Sequence, residues 1–522
     1  MKIAELAALL CYFALVLYVG IYFFWKDRKG NNGEKAYFLG GRQMNGWVSA
    51  LSAGASDMSA WVLMGLPGSI YLYGVGQLWI AIGLLLGTII AWIWVAPALR
   101  RYSIAANDAI TVPQFLTRRF CTERKGIMTI SAVVFVITYC VYTASSLYAC
   151  GTLFNTVIGM QPQTAMLIAS VVIVFYTLLG GFNAVCWTDF FQGMLMLGAL
   201  MLVPILTVAM MNSTGFVQPQ FSIPASYYNI LSSGKMDWKS ASDIISGLGW
   251  GLGYFGMPHI LIRYFSVKSE KEMRKSQIIG CSWLFLILLA TSIVGLLGRR
   301  FLGDTLTTTK DGNTLVFINM VRNVFAWIGD SASIVMIASF AAGILLSAIL
   351  AASMSTADSQ LLASASAFAS DLYKPIFRKN ASGKEMMWAG RVIVFVIAIV
   401  AYFIASNPSC QGIMGLVSCA WAAFGAAFGP VILLALYWKR MTYNGALAGI
   451  IVGFVVDALW YMFMGWTMIY EIIPGFAAGA IATVVVSLLS AQPDKVVIDL
   501  FDRSRQPIEN NLNDTAVAVE EK

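Results

Sequence analysis

The sequence predicts an all-α polytopic membrane protein with about thirteen spanning helices, two of them interrupted. Three observations predict it. Of 522 residues, 59% are hydrophobic and only 11% are charged, and the mean hydropathy of +0.74 lies far outside the range of water-soluble globular chains. Apolar stretches of about twenty residues, the length that crosses a hydrocarbon core of ~30 Å, recur from one end to the other. Two of those stretches also hold polar or helix-breaking residues that an ordinary spanning helix excludes.

The apolar stretches lie near 4–24, 46–67, 75–98, 127–150, 163–180, 189–211 and 241–262, and then near 279–298, 331–368, 389–405, 414–438, 442–465 and 468–490. The ninth is long enough for a tilted helix followed by a helix on the membrane surface. Residues 1–490 therefore read as one transmembrane domain. Residues 491–522 are charged and lack apolar periodicity, which predicts a disordered tail. The basic loop between 99 and 125 has the makings of a short surface helix.

The net charge of +8 invites a nucleic-acid reading, but most Lys and Arg fall in alternate loops. Lys26, Arg42, Arg100, Arg119, Arg263, Lys268, Lys374, Lys439 and Arg503 belong to that set. The positive-inside rule then places the N-terminus outside and the C-terminus in the cytoplasm. The first span has no small-residue cleavage site and reads as a retained helix. Eight cysteines without a CxxC pair indicate neither a disulfide framework nor a zinc site.

The stretch Leu51-Ser52-Ala53-Gly54-Ala55-Ser56-Asp57-Met58-Ser59-Ala60-Trp61 puts an acid, several hydroxyls and a glycine inside the second span. A close-packing face explains the small residues but not Asp57. A carboxylate at membrane depth costs ~2.5–3.5 kcal/mol on insertion scales, and backbone can unwind there only beside protein or a wet cavity. Both features predict the broken helix of an ion-coupled transporter. A second break is predicted at Gly247 to His259, where glycines alternate and Pro258 removes a backbone donor. With the first span counted as an extra, the two breaks open the first and sixth of the remaining spans, as two five-helix inverted repeats would have it.

In the long ninth span, Ala352, Ser355, Thr356 and Ser359 share one helical stripe, with Asp358 at its flank. Hydroxyls and carbonyls supply neutral oxygen for a hard monovalent cation, and a carboxylate adds charge. Asp189 opens its span, where it reads either as a helix-start carboxylate or as an intramembrane functional acid. Tyr142 needs a partner for its hydroxyl. Asp457 is a further buried acid without an evident partner, and Pro430 is placed to bend its helix. His259 is the only histidine; it reads as a hydrogen-bonded structural residue or a proton carrier.

Several segments resemble the sodium/solute symporter family, most closely its bacterial sodium/proline members. They are Gly40-Gly41-Arg42, Leu51 to Trp61, Leu63 to Gly68, Trp187-Thr188-Asp189, Gly249 to Tyr254, Pro258 to Leu261, Met354-Ser355-Thr356, Ala420 to Pro430 and Asn444 to Gly449. The resemblance implies a LeuT-type five-plus-five inverted repeat with one additional N-terminal helix and two additional C-terminal helices. It implies sodium-driven solute uptake, with sodium held by Ala55, Met58, Ala352, Ser355 and Thr356. It implies that Asp57 is linked to sodium dependence, and that Asp189 with Ser355, Asp358 and Ser359 matches a second cation site. The implied solute residues are Ser59, Ala60, Trp61, Tyr142, Trp250 and Tyr254, with L-proline favoured. Ala60 and Met257 depart from the family pattern, where glycine and glutamine are usual.

On this reading the chain is no enzyme and needs no organic cofactor, nucleic acid or obligate protein partner. Its partners are sodium, a small solute and the lipids of a bacterial cytoplasmic membrane. Two alternatives stand beside it. One is a sodium- or proton-coupled carrier of another small solute, suggested by Asp57, Asp189, Asp358 and Asp457. The other is a membrane-embedded enzyme with His259 as its base, which lacks an accompanying nucleophile or metal cluster.

Overall fold

Inside lipid the backbone must satisfy its own hydrogen bonds in helices or a closed barrel, and long apolar runs of this density form helices, which make up the spans apart from two breaks. The computed structural model describes residues 2–28, 34–213, 216–219, 221–308, 311–328 and 331–506. Among them, 10 helices are long and apolar enough to cross a membrane. The other expected spans are the two interrupted ones and a shorter helix.

The order begins with α1 (Lys2–Arg28) and the first interrupted span, α2 (Gly46–Asp57) and α3 (Gly65–Tyr73). Next come α4 (Val75–Ala105), α5 (Gly126–Ile158), α6 (Pro162–Leu178) and α7 (Gly181–Met211). The second interrupted span is α8 (Trp238–Gly249) and α9 (Pro258–Ser266), joined by a 3-10 link, Trp250–Phe255. Then follow α10 (Glu270–Leu302), α11 (Ala332–Ser366), α12 (Gly383–Ala405), α13 (Gly412–Tyr437), α14 (Tyr443–Phe463) and α15 (Ile472–Leu489). Each interrupted span is thus followed by four more spanning helices, which gives the five-plus-five order, flanked by α1 and by α14 with α15.

Five expectations change. Asp189 does not open a helix: Gly181, at φ 62° and ψ −174°, makes the turn, so Asp189 lies about two turns inside α7, beyond reach of the end effect. The long ninth span is one α-helix that continues into a wider π-type run, Ala367–Phe377, and not a span plus a separate surface helix. The tail is not wholly irregular. Residues Lys495–Ser504 form α16, whose Val497, Leu500 and Phe501 are buried; residues 507–522 lie outside the described residues. Arg42, Arg119 and Arg263, grouped with the basic loops, are each at most 1% exposed, because their guanidinium groups bond to internal partners. The short helix expected between 99 and 125 is Val112–Arg118, but six of its seven residues are buried, so it is packed into the protein and is not a surface helix.

The breaks have local causes. Asn45 starts α2 by accepting a hydrogen bond from the Val48 amide. At its other end Met58 turns out of helical geometry, with ψ 55°. The Ser59 amide, which a continuing helix would send to Ala55, donates to Asp57 instead. The Ala55 carbonyl is released by that change. In the second break the glycines let backbones touch: a Cβ on Gly251 would stand 2.3 Å from the Gly83 carbonyl oxygen, and one on Gly256 2.3 Å from that of Phe424. Pro258 begins α9, where its missing donor costs nothing.

Candidate functional site

The released Ala55 carbonyl meets α11. Ser355 Oγ donates to it at 2.8 Å and lies 3.2 Å from the Ala352 carbonyl of its own helix. Thr356, one residue on, has a buried hydroxyl without a hydrogen-bond partner, and Met58 at the end of α2 is fully buried. Four neutral oxygens of the expected sodium set, from Ala55, Ala352, Ser355 and Thr356, therefore come from the facing stretches of two helices 300 residues apart. A hydroxyl has two lone pairs besides its proton, so Ser355 can turn its oxygen toward a cation without leaving its place.

Asp57 points elsewhere. Its Oδ2 accepts a 2.5 Å hydrogen bond from the Tyr254 hydroxyl, which ties the first interrupted span to the link of the second. Oδ1 is buried without a partner. The expected solute residues gather around this tie, and all six are buried: Ser59, Ala60 and Trp61 in the first break, Trp250 and Tyr254 in the link, and Tyr142 on α5. The Trp61 and Trp250 rings are 6.1 Å apart. Met257, 0% exposed, ends the same break.

Two aromatics that the sequence did not single out complete this lining. Trp421 of α13 donates from Nε1 to the Trp250 carbonyl at 2.8 Å and meets the Tyr254 ring edge-on at 5.2 Å. Tyr470 stacks on Trp250 at 5.1 Å. An indole whose donor is anchored on the backbone of the break holds the ring in one plane, so α13 sets the orientation of this side.

The expected second cation group is crossed by an arginine. Arg263 of α9 donates through Nη2 to Asp189 Oδ2 at 3.1 Å and to Ser359 Oγ at 2.5 Å. It also reaches Ser52 Oγ through Nε and the His259 carbonyl through Nη1. Ser52 Oγ donates to the same Asp189 oxygen at 2.6 Å. On the far side, Asp358 accepts from Ser359 at 3.2 Å and from the Tyr176 hydroxyl at 2.7 Å. Asp189, Asp358 and Ser359 thus form one buried network with Arg263, whereas Ser355 turns to Ala55. His259 pairs with Tyr139, Nδ1 to hydroxyl at 3.2 Å, which fits the structural reading. Asp457 lies on α14, 3% exposed, remote in sequence from both breaks, with Oδ1 unpartnered. Among the described residues, no three His, Cys, Asp or Glu side chains are grouped to hold a metal.

The model of the sodium:solute symporter family matches residues 37–453. The high-affinity proline transporter of Bacillus subtilis (strain 168) is 43% identical over 467 residues, covering 89% of this chain and 95% of its own length. The sodium/proline symporter of Escherichia coli (strain K12) is 43% identical over 484 residues, covering 91% of each. Among solved structures, the chain is similar to a Na+-coupled sialic acid symporter in its substrate-bound outward-open state, with a TM-score of 0.71, 19% identity, and coverage of 94% of this chain and 99% of that one. It is also similar to the nucleobase-cation-symport-1 transporter Mhp1 in a closed conformation, at a TM-score of 0.54 and 14% identity, covering 90% and 98%. Those likenesses give the LeuT-type fold.

Proposed function

Because this chain belongs to the sodium:solute symporter family, we propose that the solute it moves with sodium is L-proline or a closely related small amino acid. The protein is a multi-pass membrane transporter and not an enzyme. The observation that carries the ion half is the Ser355 to Ala55 hydrogen bond, since it makes one oxygen-lined seam of two distant helices. Sodium is held there by the carbonyls of Ala55, Met58 and Ala352 and the hydroxyls of Ser355 and Thr356. Neutral oxygens suit a hard monovalent ion that must be both bound and released.

Proline sits between the two breaks. The rings of Trp61, Tyr142, Trp250 and Tyr254 enclose its pyrrolidine, while Ser59 and the backbone around Ala60 receive its carboxylate. Similarity to several proline carriers at about 40% identity over most of the chain supports this choice. Sodium bound between α2 and α11 fixes the end of α2, and through Asp57 and Tyr254 it fixes the link that lines the solute. Each ligand then raises the affinity for the other by the same factor.

The N-terminus faces outward and the C-terminus the cytoplasm of a bacterial cell, as the basic loops require. Inward sodium flow gains ~2.3 kcal/mol per charge per 100 mV of membrane potential. Asp189, Asp358 and Ser359 form a cation-linked cluster whose fixed member is Arg263.

The test is uptake of labelled proline by proteoliposomes holding the purified protein, under an inward sodium gradient and in choline. Accumulation only with sodium, competed by proline and not by betaines, is the expected result. Accumulation driven by a proton gradient without sodium would overturn the ion; competition only by other solutes would overturn the substrate.

A further inference from the structure

Ala50, Ala53 and Asp57 occupy one face of α2 at three- and four-residue spacing, and Asp57 on that face engages Tyr254 while Ala55 engages Ser355. With Thr88 of α4 and Tyr264 of α9, this face lines a cavity of about 10 Å³, room for about one water molecule. Asp57 is 1% exposed, and its Oδ1 has no partner. A buried carboxylate oxygen without a donor is destabilising. Most of the remaining lining is apolar, with Ile260, Leu284 and Gly280 among it, so the cavity lacks the oxygens needed to replace the hydration shell of a bare cation. A water, which needs ~2–4 polar partners, suits it.

We propose that one buried water bridges Asp57 Oδ1 and the Thr88 hydroxyl, and that Thr88 is thereby a positioning residue for sodium coupling. The water supplies the donor that Tyr254 cannot give to the second oxygen, and holds the carboxylate in the orientation in which Tyr254 joins the two breaks. The proposal rests on the reading that Asp57 is linked to cation binding.

Three substitutions separate the water from the hydroxyl. Thr88→Val keeps the shape and fills the water's contact with a methyl group. Thr88→Ala enlarges the cavity and admits further water. Thr88→Ser retains the hydroxyl. In proteoliposomes, Thr88→Val is expected to raise the sodium concentration for half-maximal proline uptake about tenfold. Thr88→Ser stays within about twofold, and Thr88→Ala falls between the two. By reciprocity the apparent proline affinity at saturating sodium falls by a similar factor, and in an Asp57→Asn background Thr88→Val adds nothing.

Wild-type sodium dependence in Thr88→Val, or an alanine variant as damaged as the valine one, would overturn the proposal. If the valine variant does not fold, the comparison of Ser with Ala decides: equal behaviour overturns, a weakened Ala supports. Uptake that ignores sodium in the wild type would instead sink the sodium reading. If only proline is the wrong solute, heat stabilisation of the purified variants by sodium over choline reads the same order.

Discussion

The Tyr254 hydroxyl donates to Asp57 Oδ2 across 2.5 Å, joining residues 197 apart. Each of them belongs to a helix break, and the two breaks face different neighbours. Asp57 lies two residues beyond the Ala55 carbonyl that faces α11, whereas the Tyr254 ring packs against Trp421 in the aromatic lining. On the proposed function, a displacement of α2 on ion binding is delivered to the solute side through this hydrogen bond. Tyr254→Phe keeps the ring and removes the donor, leaving that oxygen unpaired. The expected outcome is a loss of ~1.5–3 kcal/mol in coupling, the range for hydrogen bonds to charged groups. It reads as about a tenfold or greater rise in half-saturating sodium, measured as uptake across sodium concentrations with proline saturating.

Thr356→Ala and Ser355→Ala are expected to raise half-saturating sodium while leaving the amount of folded protein unchanged. The Thr356 hydroxyl has no hydrogen-bond partner to lose, so its removal costs the fold little. Ser355→Ala also breaks the bond to Ala55, and its effect is the larger of the two. Sodium titrations of uptake, paired with melting curves in detergent, check both points; unchanged sodium dependence in both would remove these hydroxyls from the ion site.

Much of this arrangement is legible in the chain, for a definite reason. Asp57, and the glycines before Pro258, are anomalies against an apolar background, and at membrane depth an anomaly needs a cause. Arg263 is hidden because an arginine at the end of an apolar stretch looks like a basic loop residue. Its partners Ser52, Asp189 and Ser359, all distant in the chain, show that it is internal. Trp421 and Tyr470 are hidden too, since one aromatic among many in apolar spans carries no mark of the face it takes. The helix start before Asp189 is misplaced because a glycine turn between two apolar helices leaves no polar interval.

Arg263 and Asp189 are 2% and 0% exposed in their side chains, so removing one strands the other. Arg263→Gln is expected to destabilise the protein by ~3–5 kcal/mol, the cost of leaving a buried charge unpaired. Asp189→Asn in the same chain should restore part of that loss. Thermal unfolding of the single and double variants gives the coupling directly. Strictly additive effects would mean that the pair does not act as a unit.

The helix α16 yields a contrast between two neighbouring residues. Phe501 is 1% exposed; its ring meets the Tyr102 ring at 6.1 Å and lies 5.5 Å beneath the Arg119 guanidinium. Asp502 pairs with Lys439 where both side chains are about half exposed. Deleting a packed ring removes its buried area and leaves a cavity, ~3–5 kcal/mol in well-packed interiors, whereas an exposed ion pair contributes ~0–1 kcal/mol. Phe501→Ala is therefore expected to lower the melting temperature and loosen α16, read as proteolytic release of the segment after residue 494. Asp502→Asn should behave as wild type in both assays. If the asparagine variant proves the more damaging, the segment is held by charge and not by the aromatic contact with α4.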